Sequence, residues 1–219
     1  MRSYKQAFIR ATVALVVLSL GACGIATPVP TPMPTPQIPS GWSWYSAEKF
    51  QVALPPDWIG LELAPGAFDA LVAKAKTSNP QWVPALAGGR AAKYSPEFKF
   101  WGADPSAPLN AVANLVVGHE PTKTGSAEEY AQRAKQRLGV EGAALTIGER
   151  TRQGLNDVLR FQVAGSAPSS VGVHDFVQQI AIIDHGADRY FIILAHSPRS
   201  SQQYSQTFDG IVGSFYVGQ

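Results

Sequence analysis

The chain is 219 residues long, 45% hydrophobic and 16% charged, a composition that supports a folded core and argues against disorder. Its formal net charge is +2, but Arg2, Lys5 and Arg10 all precede the first acidic residue, and without those three the remainder carries a net −1. A near-neutral domain has no electrostatic footprint for nucleic acid and no basic run to hold anionic lipid.

The first 22 residues divide as a secretory leader does. Arg2, Lys5 and Arg10 form a basic start, and residues 11–20 (ATVALVVLSL) an apolar stretch well short of the roughly 20 residues that span a bilayer. Gly21-Ala22 then lead into Cys23, the only cysteine. This arrangement resembles the lipobox of bacterial lipoproteins, in which the cysteine takes a diacylglycerol thioether and becomes the first mature residue. The bland alternative is a short uncleaved anchor with Cys23 an idle thiol. With Cys23 set aside, no sulfur remains in the folded part for disulfides or thiolate catalysis.

Residues 23–40 form the next unit. Thr27-Pro28-Val29-Pro30-Thr31-Pro32-Met33-Pro34-Thr35-Pro36 alternates proline, which fixes φ and removes a donor, so neither helix nor ladder can form. At about 3.1 Å per residue in polyproline II, residues 25–40 predict a stalk on the order of 50 Å. A proline-rich ligand for a recognition domain is the competing reading of the same tract.

The remaining unit, residues 41–219, is long enough for one well-cored domain. Residues 42–54 read as two short strands around Ser46-Ala47-Glu48-Lys49, with Phe50, Val52 and Leu54 in alternation. Pro55-Pro56-Asp57 stops the second, and Trp58, Ile59 and Leu61 resume an extended segment. A helix follows over residues 66–77 from the spacing of Phe68, Leu71, Val72 and Ala75, broken by Asn79-Pro80. Residues 82–94 permit short helical turns at most, because Pro84 and Gly88-Gly89 interrupt them. A strand is expected at residues 98–101, then a loop to Pro108, then a central strand at 111–120.

Ser126 and Glu129 match a capping box opening a helix whose one face carries Tyr130, Ala134 and Leu138, with Gly139 just past its end. Two hairpins follow: residues 145–152 with 158–164, and 174–184 with 190–194 around His185-Gly186-Ala187-Asp188. Residues 200–217 read as a closing amphipathic helix with Tyr204, Phe208, Ile211, Val212 and Phe215 on one stripe. The fold class is therefore α+β: a central, mostly antiparallel sheet with helices on both faces.

Chemistry is harder to find. His119, His174, His185 and His196 have no zinc-motif spacing, and a metal held by Asp184, His185 and Asp188 competes poorly with a solvated turn. There is no G-x-S-x-G, and His196-Ser197 are merely adjacent. No phosphate loop is present, and paired carboxylates cannot be recognised because such pairing is spatial. Catalytic residues, cofactor and metal are each assigned as none. Trp42, Trp44, Tyr45, Trp82 and Trp101 read first as core or sheet covers. The alternative is a partner surface, best placed around Trp82 and Trp101 in the longest irregular stretch.

One resemblance gathers these pieces. FQVALPPDW at residues 50–58, ANLVV at 113–117, the helix from Ser126, two late hairpins and the closing YFIILAHSPRSSQQYSQTFDGIVGSF at 190–215 resemble the PsbP-like α/β/α sandwich family. The bacterial lipoprotein branch, LpqN-like and PsbP-related, is the part of it that the leader suggests. The resemblance spans nearly all of residues 41–219 and implies the fold together with binding or assembly work. Residues 62–97 are longer than the corresponding part of the photosystem members.

The expectation is a lipoprotein held by lipid on Cys23 at the extracytoplasmic face of the cell membrane or outer membrane. There it serves as a non-enzymatic binding or assembly module for an envelope protein or a small apolar ligand, and not for nucleic acid. The alternatives are an envelope hydrolase whose site meets only in three dimensions, and a photosystem accessory protein.

Overall fold

The computed structural model describes residues 38–89, 95–107, 113–137, 142–169 and 172–218. The leader, Cys23, the proline tract, residues 111–112 of the expected strand, and Leu138 and Gly139 lie outside the described residues.

The opening alternation produces strands β1 (Ser43–Ala47) and β2 (Phe50–Leu54), and β3 (Ile59–Glu62) resumes beyond the prolines. Helix α1 (Ala67–Ser78) stops where the sequence predicts, with Asn79 N–H donating to the Ala75 carbonyl at 2.9 Å and Pro80 unable to continue. A 3-10 turn, Pro80–Trp82, leads into α2 (Val83–Gly89), a longer helix than the isolated turns expected. Pro84 is tolerated because it sits in the first turn, where its N–H would have no helical partner anyway.

Strands β4 (Phe98–Ala103) and β5 (Asn114–Glu120) precede α3 (Ala127–Arg137). Its capping box closes in both directions: Ser126 N–H donates to Glu129 Oε2 at 2.9 Å, and Glu129 N–H donates to Ser126 Oγ at 3.1 Å. The hairpin β6 (Ala144–Gln153) and β7 (Asn156–Ser169) and the hairpin β8 (Gly172–His185) and β9 (Asp188–His196) follow. The second turns at Gly186, whose φ of 58° is the positive value the sequence asks of a glycine there. Helix α4 (Ser201–Ser214) then crosses back, and β10 (Tyr216–Val217) ends the described chain.

Seven strands form one sheet in the order β3-β4-β5-β9-β8-β7-β6, antiparallel at every pairing. Period-2 alternation divides its side chains between two faces. Leu115, Val117, Ile192, Leu194, Ala181 and Ile183 face one way, toward Tyr204, Phe208, Ile211 and Val212 of α4. Phe161, Val163, Ile180 and Ile182 face the other way, under Ala127 and Ala131 of α3. Trp101 and Ala103 of β4 lie beside them under Phe68 of α1 and Leu86 of α2. Helices thus cover both faces, as expected for the fold class.

Two features differ from the expectation. The opening strands do not join the main sheet: β1, β2 and β10 make a separate three-stranded sheet. It shares the α4 side, with Phe50, Val52 and Leu54 buried against the main sheet. Nor does α4 run to residue 217. The chain becomes extended at Phe215, and Tyr216 and Val217 pair with Gln51 and Phe50 of β2. Helical spacing at Phe215 concealed this change, since its ring is buried in either conformation. Near the start of the described residues, Trp42 lies across Gly210 of α4.

Candidate functional site

Polar residues gather where β5, β9 and the β1–β2 turn meet. In that turn Glu48 holds a φ of 43°, uncommon for a residue with a side chain. Its carboxylate accepts from Lys99 Nζ of β4 at 2.9 Å and faces His119 Nδ1 of β5 at 3.3 Å. The Lys99 ammonium holds the Glu48 carboxyl below the usual carboxylate range, with help from His119 and against partial desolvation.

His119 is 6% exposed and is the centre of this group. Its ring stacks on Tyr190, its register partner on β9, with centroids 4.6 Å apart and planes 9° from parallel. Nε2 stands 3.3 Å from Oδ1 of Asp188, the first residue of β9, but off the line of a hydrogen bond. Asp188 in turn lies 3.9 Å from Lys49 Nζ. The Tyr190 hydroxyl is buried with no partner among the described residues, and burial, then Asp188 and Glu48, push it up to about 12.

The opposite face of the same strand ends carries Arg189, which is 0% exposed. Its Nε and Nη2 donate to the Asp184 carboxylate at 2.7 and 3.1 Å, and Nη1 and Nη2 donate to the Thr124 and Gly125 carbonyls at 3.2 and 3.1 Å. The guanidinium also lies 5.7 Å from the Tyr130 ring centroid. A buried fork of donors thereby fixes the loop that opens α3.

Between these groups is a cleft of about 810 Å³. The Glu48–Lys49 turn and Lys99 form one wall, Pro121 and Thr124 another, Tyr130 and Arg133 of α3 a third, and His119 and Phe191 reach its floor. Both signs of charge line it. A second cleft of about 560 Å³ lies across the Glu48–Lys49 turn, reaching Gln51, His185 and Tyr216, so that turn is the wall between the two.

The four histidines are scattered. His196 is buried beneath Tyr204, its Nδ1 donating to the Ser197 carbonyl at 2.8 Å and its Nε2 facing the Gln179 amide at 3.1 Å. Burial pulls its protonation below the ordinary histidine range. His185 Nδ1 donates to Asn156 Oδ1 at 2.8 Å, and His174 lies on β8, far along the strand. Asp184, His185 and Asp188 turn to three different partners, Arg189, Asn156 and His119, and do not converge. Among the described residues, no three His, Cys, Asp or Glu side chains are placed to share a metal ion.

The tryptophan surface is corrected at one of its two members. Trp101 is 0% exposed, on the helix-covered face of β4, edge-on to Phe68 at 5.5 Å. Trp82 is half-buried against the same cluster. An aromatic-rich irregular stretch here covers a sheet face. The candidate-site residues that sequence reasoning passes over are Glu48 and Lys99, which lie far apart in the chain and carry no motif, while Asp188 enters it only as a metal ligand with Asp184 and His185. The one signal for Glu48 and Lys99 is His119 at a strand end.

No sequence-family model matches this chain, and no curated protein matches it. Among solved structures, cyanobacterial PsbP (CyanoP) from Synechocystis is similar over 91% of this chain and 99% of that one, at 14% identity and a TM-score of 0.50. The immunity protein TplEi of the T6SS from Pseudomonas aeruginosa, complexed with "L" peptide, aligns over 81% of this chain and 98% of that one. Its identity is 14% and its TM-score 0.45. Likeness at such identity speaks to architecture alone, and the architecture of this chain is PsbP-like.

Proposed function

We propose that this chain is a membrane-anchored extracytoplasmic lipoprotein that works as a non-enzymatic binding or assembly module, with the polar cleft as the docking place for an envelope protein. The observation behind the reading is that the ionisable groups at the cleft's Glu48 wall already hold one another: Glu48 accepts from Lys99 and faces His119. A hydrolase needs a base poised to take a proton from substrate or water. Here His119 is bonded through Nδ1 to Glu48, with Asp188 beside Nε2, and His196 lies between an amide and a backbone carbonyl. Such a preorganised, mixed-charge lining suits a polar protein segment better than a small apolar ligand.

The anchor rests on the leader pattern and on Cys23. An alkyne fatty-acid probe fed to the native cell should label the chain and fail to label Cys23→Ala. Equal labelling of both removes the anchor. The docking role is tested by affinity capture with the full lipidated chain from its own envelope. The same partner should return in replicate captures and be lost from the double variant Lys49→Glu, Arg133→Glu. No reproducible partner, or undiminished capture by the double variant, contradicts the reading.

A further inference from the structure

The His119 ring is built into a junction between the two sheets. It belongs to β5 of the seven-stranded sheet, yet Nδ1 faces Glu48 in the turn of the three-stranded sheet, and Nε2 faces Asp188, each at 3.3 Å. A neutral imidazole has one N–H and one lone pair, so it can donate to only one of two carboxylates, whereas an imidazolium donates to both. In the structure the ring serves one of them: Nδ1 is within hydrogen-bond reach of Glu48, while Nε2 has no aligned partner.

We propose that His119 is a proton-operated clamp: singly protonated it holds either Glu48 or Asp188, and doubly protonated it holds both, so that its bond to Glu48, which fastens the small sheet to the large one, is no longer given up to Asp188. The groups around it on every side suit this role. From β4, Lys99 binds the far oxygen of Glu48 and keeps that carboxylate ionised into the acid range. From the β1–β2 turn, Lys49 approaches Asp188. From β9, Tyr190 stacks flat on the ring and limits it to rotation in one plane. The Glu48 N–H, on a backbone held at positive φ, donates to exposed Glu62 Oε1 at 3.3 Å, and the Lys49 carbonyl accepts from Gly218 N–H at 2.8 Å, so the side-chain contacts add to a turn that Ala47 and Phe50 close. Acid supplies the ring's second proton, so the clamp tightens as the surroundings acidify.

Hydrogen exchange on the full chain in detergent micelles, followed by mass spectrometry, reads this directly at peptides covering residues 44–52. After correction for intrinsic exchange, opening of that turn should be at least about tenfold rarer at pH 5.5 than at pH 8.0, the scale of one added charge-assisted hydrogen bond. A β7 peptide over residues 156–163 serves as the internal reference and should keep one ratio. In His119→Gln, and separately in Asp188→Asn, which keeps the ring but removes its second carboxylate, the pH dependence should collapse. A wild-type ratio near one, or an undiminished ratio in Asp188→Asn, overturns the clamp.

Discussion

Gly118 shows how much one missing side chain decides. A Cβ there would stand 2.0 Å from Phe191 Cζ, because the Phe191 ring lies flat over β5 between Phe98 and Tyr130. Gly118→Ala should therefore lower unfolding free energy by about 1–3 kcal/mol in urea titration, the range of overpacked cores. An unchanged midpoint would show that the ring can move aside. Titratable groups set the pH profile in the same local way. His196 and Glu48 both have lowered values when folded, so each stabilises above its ordinary value and that stability is lost as pH falls. The decline begins below 6.5 with His196 and continues below 4.5 with Glu48. Tyr190, raised to about 12 by burial, acts oppositely and gives up stability as pH climbs from 10 toward that value. Urea midpoints between pH 7 and 5 should slope less steeply in His196→Gln than in the parent, and equal slopes would remove His196 from the account.

At the scale of elements, local rules worked where one rule governed. Ser126 and Glu129 cap α3 reciprocally, so Ser126→Ala should cost about 1 kcal/mol by thermal melting, and no loss would mean that Arg189 alone holds that loop. The hairpins were legible from alternation and glycine, but their lengths were not. β7 and β8 continue to Ser169 and from Gly172 through glycine, alanine, serine and proline, which carry no apolar signal. Partnering was hidden too. Nothing in FQVAL reveals that β2 pairs with the last strand of the chain, a choice made by closing a sheet over α4. Helix α2 was obscured by a proline that is harmless in a first turn.

Taken whole, the chain declares its architecture earlier than its site. Helical and strand periods, one capping box and the closing stripe at Tyr204, Phe208, Ile211 and Val212 suffice for the PsbP-like sandwich, because each reports burial against a neighbour. The site draws Glu48, Lys99, His119 and Asp188 from four separate segments: sheet register brings the last three together, and the packing of the small sheet on the large one adds Glu48. A cleft made in this way has no spacing to read. The reading offered for it is docking at the outer end of a lipid-held stalk, and it makes a spatial demand that the buried tryptophans do not. A photo-cross-linking residue placed at Lys49, on the cleft wall in the full lipidated chain, measures that demand in the native envelope. The account predicts one reproducible adduct from Lys49 and none from the same residue placed at exposed Gln203 on α4. Equal adducts from both positions, or none from either, would contradict it.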